Sequence, residues 1–342
     1  MMKTVLGIET SCDDTSIAIL RGEAGNYQKS PELLAHLSFS QEAILRKWGG
    51  VVPELAARNH LYKLVPLLQD TLDAAKIKMQ EIDLIGVTTH PGLLGPLLTG
   101  LNTAKTLSLV NKLPLIPINH LYAHLEAVHL TAPHSYPYLG LLVSGGHTMF
   151  LLVSGPEDFE VLGSTIDDAS GEAYDKGGKL MGLGYPAGRI IDDYAKLGDK
   201  KKYDFPIGLK SSGDANFSFS GLKTSLRTFL EARPGFMDEN EQNKYDLCAS
   251  YQEAIVDALK LKTKYAQKIC HERFGKKLPI VMGGGVACNS RIREMLKENY
   301  EHVSFVEPRF CTDNGAMIAN YALRTFDKAI PFPDCLYLDA KG

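Results

Sequence analysis

A strand, a polar turn and a second strand occur twice in this chain, and this recurrence limits the folds open to it. Residues 5–8 and 15–20 are predicted strands, and the turn between them reads Glu-Thr-Ser-Cys-Asp-Asp. Residues 138–143 and 149–153 have the same character around the turn Ser-Gly-Gly-His-Thr. We interpret the recurrence as an internal repeat. The chain has 342 residues, more than one core usually holds, so we expect two domains or two lobes.

Strand patterns alternate with helical ones along the rest of the chain. Residues 83–89 form a predicted strand that leads through the glycines of residues 91–100 into a helix. Residues 279–282 form another, followed by Gly-Gly-Gly and a helix that starts near Ser290. Glycines at such junctions let the backbone approach a ligand at the helix N-terminus, or simply let helix and strand pack closely. Either way the pattern predicts an α/β fold.

The composition limits the class of protein and its cellular compartment. Hydrophobic residues make up 44% and charged residues 23% of the chain, as in soluble globular proteins. The net charge of −3 neither indicates nor excludes a nucleic-acid partner. The six cysteines contain no CxxC motif, so we expect reduced thiols and a cytoplasmic protein. The N-terminus reaches an acid at Glu9, and residues 137–153 are interrupted by Ser-Gly-Gly-His. We therefore expect neither a signal peptide nor a membrane span.

Two histidines stand where a short strand gives way to a helix. His120 and His124 are four residues apart, so on a helix they share one face and can bind one ion. A metal site needs a third ligand, and Asp313, at a strand-to-helix junction late in the chain, is the candidate. The alternative is a pair of surface histidines, or of core histidines with satisfied hydrogen bonds.

Two stretches are rich in carboxylates. Asp13 and Asp14 lie in the first hairpin turn, where they could contact a metal or accept a proton. Residues 167–192 combine acids with glycines, as a pocket that accepts hydrogen bonds from ribose hydroxyls would. Plain solvated loops are the alternative for both stretches.

Nine motifs, taken in order, resemble one family along essentially the whole chain. They are Gly-Ile-Glu-Thr-Ser-Cys-Asp from Gly7, Gly-Gly-Val-Val-Pro-Glu-Leu-Ala from Gly49, Pro-Gly-Leu from Pro91, His120-xxx-His124, Leu-Val-Ser-Gly-Gly-His-Thr from Leu142, Asp-Asp-Ala-Ser-Gly-Glu-Ala-Tyr-Asp-Lys from Asp167, Phe-Ser-Phe-Ser-Gly-Leu-Lys from Phe217, Gly-Gly-Val-Ala-Cys-Asn from Gly284 and Thr-Asp-Asn-Gly-Ala-Met-Ile-Ala from Thr312. This set resembles the threonylcarbamoyl transferases that modify tRNA, once called O-sialoglycoprotein endopeptidases, in their bacterial and organellar branch.

The resemblance implies a fold and a reaction. The fold is α/β, with two lobes of the actin, sugar kinase and Hsp70 kind, each an RNase H-like five-stranded mixed sheet with helices. We expect residues 1–118 and 312–342 in the N-terminal lobe and residues 119–311 in the C-terminal lobe. The reaction moves the threonylcarbamoyl group from threonylcarbamoyl-AMP to the N6 amine of adenosine 37, beside the anticodon, in tRNAs that read codons starting with A. A paralogous partner subunit and a small ATPase are the implied protein partners, with no membrane.

The resemblance also implies site residues. The metal ligands fall on His120, His124 and Asp313. Such a set suits Fe(II) or Zn(II), and the family favours iron. The implied substrate-binding positions are Leu142, Val143, Ser144, Gly145, Gly146, Asp175, Gly188, Asp192 and Asn289. The chain departs from the family at His90, where a small residue is usual before Pro-Gly-Leu, and at Tyr122-Ala123 between the histidines.

The chemistry suggests one further role and two alternatives. The adenosine amine is a poor nucleophile, and a general base that removes its proton typically increases the rate ~10²–10⁴-fold. Asp13 and Asp14, the carboxylate pair of the first hairpin, are therefore the candidate catalytic residues. A metalloprotease is one alternative, although the catalytic Glu of HExxH proteases is replaced by Leu121. A small-molecule kinase of the same fold is the other.

Overall fold

The structure, a computed structural model, describes residues 1–26, 28–48 and 50–342. Gly49, which opens one of the family motifs, lies outside the described residues. The described chain divides into two compact units. The first unit contains Met1–Ser135 and Arg309–Gly342, and the second contains Tyr136–Pro308.

The strands and helices alternate as the sequence predicts. The strands are β1 Met2–Glu9, β2 Asp14–Glu23, β3 Glu32–Ser40, β4 Leu84–His90, β5 Leu115–Asn119, β6 Tyr138–Val143, β7 Thr148–Gly155, β8 Asp158–Ser164, β9 Ile280–Gly283 and β10 Val303–Phe305. The helices are α1 Glu42–Leu45, α2 Pro53–Ala75, α3 Leu94–Asn111, α4 His120–Glu126, α5 Ser170–Leu180, α6 Gly188–Ala195, α7 Ser220–Glu231, α8 Phe236–Glu239, α9 Glu241–Phe274, α10 Ser290–Asn299, α11 Pro308–Cys311 and α12 Gly315–Arg324.

Each unit contains one five-stranded mixed sheet, and the two sheets have the same topology. The order is β3-β2-β1-β4-β5 in the first unit and, read from the matching edge, β8-β7-β6-β9-β10 in the second. In both, the first three strands run antiparallel, and the fourth and fifth add parallel to the first. The internal repeat predicted from the two hairpins is therefore confirmed, and so is the two-lobed α/β fold.

Buried aliphatic strands and helix stripes form the core of each unit. In the first, Leu6 and Ile8 of β1 pack with Leu64 of α2 and Leu101 of α3. In the second, β6 is buried along its whole length, because the sheet is covered on both faces there. Among the described residues, none of the helices is long and apolar enough to cross a bilayer.

Helix α12 lies very close to the first sheet, and two glycines make this possible. A Cβ added to Gly7 of β1 would be 2.2 Å from the carbonyl oxygen of Gly315. A Cβ added to Gly315 would be 2.6 Å from the backbone nitrogen of Ala18 on β2. The backbone nitrogen of Gly315 donates to Oγ of Ser16, 2.9 Å away. The start of α12 is thus fixed on the β1–β2 hairpin.

The division between the units differs from the boundary expected after residue 118. The structure places it after Ser135, because α4 and the 3-10 turn Ala127–Leu130 pack against α12 of the first unit. The second boundary lies after Pro308, a few residues before the one expected at residue 311. Both predicted histidine ligands therefore belong to the first unit, together with Asp313.

Candidate active site

The histidine pair is positioned by the end of β5. His120 is the first residue of α4, and His124 follows one turn later on the same face. The Asn119 side chain caps the helix by accepting from the backbone nitrogens of Leu121 and Tyr122 at 2.9 and 3.3 Å. Because the cap fixes the first turn, both imidazoles are held at the carboxyl edge of the parallel strands, where α/β proteins place ligands.

Asp313 reaches the same place from the other end of the chain. It lies between α11 and α12, and Asn314 caps α12 by accepting from the backbone nitrogen of Met317 at 2.9 Å. Asn314 also donates to the carbonyl oxygens of Phe310 and Thr312 at 3.0 and 2.7 Å, which closes the turn that carries Asp313. The Asp313 carboxylate is therefore held by a short, well-bonded turn.

Three ligand atoms converge in the first unit. Oδ1 of Asp313 lies 3.1 Å from Nε2 of His124 and 3.3 Å from Nε2 of His120. The two Nε2 atoms are 3.1 Å apart. Ligand atoms about 2.1 Å from a shared ion would lie about 3.0 Å apart at right angles and about 3.4 Å apart at tetrahedral angles. The spacing observed here matches the spacing that one small divalent ion needs.

Glu9 orients His120, a role that the sequence analysis did not assign. Oε2 of Glu9 lies 3.1 Å from Nδ1 of His120, and Oγ of Ser11 lies 3.2 Å from the same nitrogen. The hydroxyl of Thr88 donates to Oε2 of Glu9 at 2.5 Å. The register of β1 and β4 pairs Ile8 with Val87, which sets Glu9 beside Thr88. Glu9 at the end of a buried strand was the available signal.

Burial and charge act together on these side chains. Burial disfavours protonated His120, but the carboxylates of Asp313 and Glu9 outweigh burial and raise its pKa well above the usual value. Burial and the neighbouring His120 lower the pKa of His124. Burial opposes the charged form of Asp313, yet the two histidines hold its pKa well below the usual range. These shifts show that the carboxylates of Asp313 and Glu9 favour a positive charge next to them.

The donor set fits a divalent cation. A hydrogen bond from Nδ1 of His120 to Glu9 leaves its Nε2 lone pair directed at Nε2 of His124 and at Asp313. A carboxylate behind a ligating histidine is a common feature of metal sites. His120, His124 and Asp313 could therefore hold one metal ion. Two imidazoles and one carboxylate suit Fe(II) and Zn(II) alike.

Asp13 and Asp14 lie within electrostatic reach of this cluster, and both are partly buried. Burial, followed by the charge of Asp313, raises the pKa of Asp13. The same two causes raise the pKa of Asp14 to about 7. Ser40 hydrogen-bonds to the Asp14 carboxylate, but Oδ1 of Asp14 is buried with no hydrogen-bond partner among the described residues.

The predicted residues 142–146 form the end of β6 and the turn after it, in the second unit. The Leu142 and Val143 side chains are fully buried, so only their backbone is available to a ligand. The Ser144 hydroxyl accepts from the backbone nitrogen of His147 at 3.1 Å and fixes the turn. Gly145 and Gly146 are exposed, and a Cβ on either would meet no atom within 4 Å. Packing within the unit therefore does not require these two glycines.

The other predicted substrate residues of the second unit lie at helix starts or hydrogen-bond to them. Oδ1 of Asp175 accepts from the backbone nitrogen of Ala187 at 2.8 Å, just before Gly188 opens α6. Asp192 accepts from the backbone nitrogen and hydroxyl of Ser290 at 3.0 and 2.9 Å. Asn289 caps α10 by accepting from the backbone nitrogen of Ile292 at 3.0 Å. Asp192 and Asn289 are thus brought together at the start of α10.

Gln252 of α9 joins these two residues and was missed by the sequence analysis. Its Nε2 donates to Oδ1 of Asp192 at 3.2 Å, and its Oε1 accepts from Nδ2 of Asn289 at 2.7 Å. The Tyr174 hydroxyl lies 3.3 Å from both Gln252 Oε1 and Asn289 Nδ2. Gln252 lies next to the apolar positions 251, 254 and 255 of the predicted helix, and nothing else in the sequence sets it apart.

The fold and the sequence both have known relatives. Component A of the (R)-2-hydroxyglutaryl-CoA dehydratase of Acidaminococcus fermentans has a TM-score of 0.54 at 16% identity, covering 95% of this chain and 100% of that chain. Full-length HypF has a TM-score of 0.57 at 13% identity, covering 95% of this chain and 46% of that chain. These similarities show the fold alone.

Relatives of known name are much closer in sequence. A tRNA N6-adenosine threonylcarbamoyltransferase of Thermosipho africanus is 44% identical over 331 residues, 95% of both chains. Those of Thermotoga neapolitana and Streptococcus mutans are 43% and 42% identical, and cover 98% and 95% of this chain and 98% and 93% of their own. The family model TsaD, tRNA N6-adenosine threonylcarbamoyltransferase, matches residues 32–320.

Fold and site together define an α/β protein of the actin, sugar kinase and Hsp70 class, with a His–His–Asp group able to hold a metal ion. Within that class, the chain belongs to the TsaD family of tRNA N6-adenosine threonylcarbamoyltransferases. It is therefore an enzyme, an acyltransferase of tRNA modification.

Proposed function

We propose that the protein transfers the threonylcarbamoyl group of threonylcarbamoyl-AMP to the N6 amine of adenosine 37 in tRNAs that read codons starting with A. It would do so in the cytoplasm, where its substrate tRNA is used. The observation that carries the proposal is the convergence of His120, His124 and Asp313 on one point, with Glu9 behind His120. The order of motifs along the chain supports the same reaction.

One divalent ion per subunit would be held by His120, His124 and Asp313, with Fe(II) preferred over Zn(II) on family grounds. Such an ion, when bound, supplies Lewis-acid polarisation of a carbonyl oxygen. Glu9 keeps the proton of His120 on Nδ1, so that Nε2 remains a donor atom. The histidine side chains are almost wholly buried, whereas the Asp313 side chain is 23% exposed, so a substrate would approach the ion from the side of Asp313.

Asp13 and Asp14 are the proposed catalytic residues. Transfer requires the N6–C bond to form, the bond from the carbamoyl carbon to the phosphate oxygen to break, and one proton to leave the amine. A base works best when its pKa is near the working pH, and that of Asp14 is raised to about 7. Oδ1 of Asp14 has no hydrogen-bond partner among the described residues and so retains its capacity to accept a proton. Because this oxygen is buried, the proposed role requires that substrate binding expose it.

The second unit would bind the nucleotide part of the substrate. Gly145 and Gly146 leave open space next to the backbone of the turn, as a phosphate-binding turn needs. Leu142 and Val143 would contribute backbone atoms and Ser144 the turn geometry. Asp175, Gly188, Asp192 and Asn289 would contact the ribose and the base, with Gln252 holding Asp192 and Asn289 in position.

A paralogous partner subunit and a small ATPase are the proposed protein partners. Helix α2 has an exposed apolar stripe at Leu61, Tyr62 and Val65, which are 67%, 75% and 63% exposed. Apolar stripes of this kind usually mark contacts with another protein. We assign this stripe to the paralogous partner, because two similar folds can pair equivalent helices through one self-complementary face.

Reconstitution tests the function. The protein, its partner subunit, the ATPase, ATP, tRNA and threonylcarbamoyl-AMP labelled in its threonine are combined, and label in N6-threonylcarbamoyladenosine is measured. We expect label in tRNAs that have adenosine 37, and none when that base is replaced by guanosine. Parallel incubations with a peptide library and with sugars plus labelled ATP test the protease and the kinase. Cleavage or phosphorylation without labelled tRNA would overturn the proposal.

A further inference from the structure

His90 lies on the same edge of the first sheet as the metal ligands. It is the last residue of β4, and its register partner is Asn119, which caps the helix that carries His120 and His124. The following turn is tied to the metal centre, because the backbone nitrogen of Leu93 donates to the carbonyl oxygen of Ser11 at 2.8 Å. Ser11 in turn contacts Nδ1 of His120 at 3.2 Å. His90 is therefore fixed relative to the metal centre through short backbone links.

The turn beside His90 has little freedom to move. A Cβ added to Gly92 would be 2.7 Å from the carbonyl oxygen of Ser11, so the backbone of this turn touches the backbone of the first hairpin. The Thr10 hydroxyl donates a hydrogen bond to the carbonyl oxygen of Pro96 at 2.9 Å. This bond links the first hairpin to the chain a few residues after Gly92. The position of the His90 backbone is therefore set by the same hairpin that carries Glu9.

The His90 ring is oriented by its neighbour. Nδ1 lies 2.9 Å from the hydroxyl of Thr89, and Thr89 is 1% exposed. No group in the part of the chain that the structure describes hydrogen-bonds to Nε2 of His90. The ring is only partly buried. The ring is therefore partly open to solvent, with Nε2 available as a hydrogen-bonding group.

Lys341 supplies a positive charge beside the ring. Its backbone nitrogen donates to the carbonyl oxygen of Thr89 at 2.9 Å, which holds the lysine next to His90, and it is exposed. Burial, followed by the ammonium of Lys341, lowers the pKa of His90. Both causes favour the neutral imidazole, and the positive charge of this pair is carried by the exposed ammonium of Lys341.

We propose that His90 and Lys341 form an RNA contact beside the metal centre, in which the imidazole stacks on an unpaired tRNA base and the ammonium binds a neighbouring phosphate. An aromatic ring next to a cation suits single-stranded nucleic acid. Unpaired bases stack on rings such as histidine, and the negatively charged phosphates bind lysine. The inference rests on the proposed function, which brings the anticodon loop to this edge of the sheet.

The test compares variants in the reconstituted complex. We expect His90→Ala to raise the KM for tRNA and the Kd measured by fluorescence anisotropy by about fivefold to a hundredfold, the range for loss of one stacked base. His90→Phe should keep most of the affinity, because it keeps the stacking surface. Lys341→Gln should reduce the slope of log K against log salt by about one. Metal content and the KM for threonylcarbamoyl-AMP should not change.

Matched controls and contrary results are available. His271→Ala and Lys268→Gln remove an exposed histidine and lysine of α9 and should leave tRNA binding unchanged. Unchanged tRNA affinity in His90→Ala, or a fall in kcat at constant KM, would overturn the inference. So would weakened binding of the partner protein at unchanged RNA affinity. Absence of transfer by the unsubstituted complex would instead count against the proposed function.

Discussion

Oε2 of Glu9 lies 3.1 Å from Nδ1 of His120, so the last residue of the first strand orients a candidate metal ligand more than a hundred residues away. The bond fixes which imidazole nitrogen faces Asp313 and His124. Thr88 and Ser11 hold the Glu9 carboxylate in turn. The metal centre therefore depends on residues that would not themselves touch the ion.

Glu9→Gln should weaken metal binding without abolishing it. The amide keeps the shape of the side chain but loses the charge that makes His120 a better ligand, and such changes typically cost ~10–100-fold in metal affinity. Metal affinity is measured by competition with a chelator, and transfer should recover in excess metal. Glu32→Gln, on an exposed residue of β3, is the control and should bind metal normally. Unaltered affinity in Glu9→Gln would show that Glu9 does not orient His120.

His124→Ala and Asp313→Asn should each remove the metal and the activity together. Each variant loses one of three ligands, so we expect less than about a tenth of an ion per chain and at least ~100-fold slower transfer. Elemental analysis and the tRNA assay give the two readouts. His271→Ala removes an exposed histidine of α9 that is not one of the predicted ligands, and it should retain both. Full transfer by a metal-free variant would remove the ion from the mechanism.

Asp14→Asn should change the pH dependence of transfer. A general base acts when deprotonated, so the rate should rise with pH through about 7, the value to which burial and Asp313 raise the Asp14 pKa. In Asp14→Asn that rise should disappear, with a loss of ~10²-fold at pH 8. Asp13→Asn shows whether the neighbouring carboxylate shares the role. A pH profile of Asp14→Asn that matches the unsubstituted enzyme would exclude Asp14.

The same substitution should stabilise the protein at high pH. Because the folded-state pKa of Asp14 is raised, the folded state holds more protons than the unfolded state between about pH 4 and 7, and stability falls as pH rises through this window. Asp14→Asn removes that loss, so its Tm should exceed that of the unsubstituted protein more at pH 8 than at pH 5. Thermal melts at the two pH values measure this difference. An equal Tm change at both would contradict it.

Leu61→Glu combined with Val65→Glu should weaken binding of the paralogous partner. Both side chains are exposed on one stripe of α2, and a charge buried in an apolar interface typically costs 2 kcal/mol or more, about 30-fold in Kd. Analytical ultracentrifugation of the mixed proteins measures the association. Asp70→Ala changes another face of α2 and should have no effect. A double variant that still binds the partner tightly would move the interface elsewhere.

Gly7→Ala should disturb the metal centre indirectly, by displacing α12. The new Cβ would fall 2.2 Å from the carbonyl oxygen of Gly315, so α12 must shift and take Asp313 with it. We expect a loss of about 1–3 kcal/mol in the free energy of unfolding, together with weaker metal binding. Gly221→Ala in α7, where a Cβ meets no atom within 4 Å, should instead be neutral or stabilising. Denaturant melts and metal titration measure both effects.

Much of the fold follows from local patterns. The two hairpins predicted the repeat, and the identical strand orders of the two sheets confirm it. The glycine-bearing junctions were predicted as strand-to-helix turns, and β4–α3 and β9–α10 are such turns. The two compact units divide after Ser135 and not after residue 118, because the histidine-bearing helix packs against α12. That packing has no local sequence pattern near residue 118.

The site was predictable to a lesser degree. His120 and His124 could be paired from their spacing, whereas the roles of Glu9 and Gln252 depend on which residues are neighbours in the folded sheet and helices. Asp192 and Asn289 were expected as ligand contacts, and the structure also gives them a task in capping α10. A sequence pattern does not show that a residue expected to contact a ligand also stabilises the start of a helix.

The amino-acid sequence by itself determined the periodic elements, the helical spacing of the two histidines and the family. These are local properties, set by side-chain size, polarity and backbone preference within a few residues. Asp313 was predicted as the third ligand, and the tertiary structure brings it to the histidines; that Glu9 lies behind His120 was decided by the tertiary structure alone. Convergence over such distances depends on how closely α12 approaches the first sheet, and the missing side chains of Gly7 and Gly315 allow that approach.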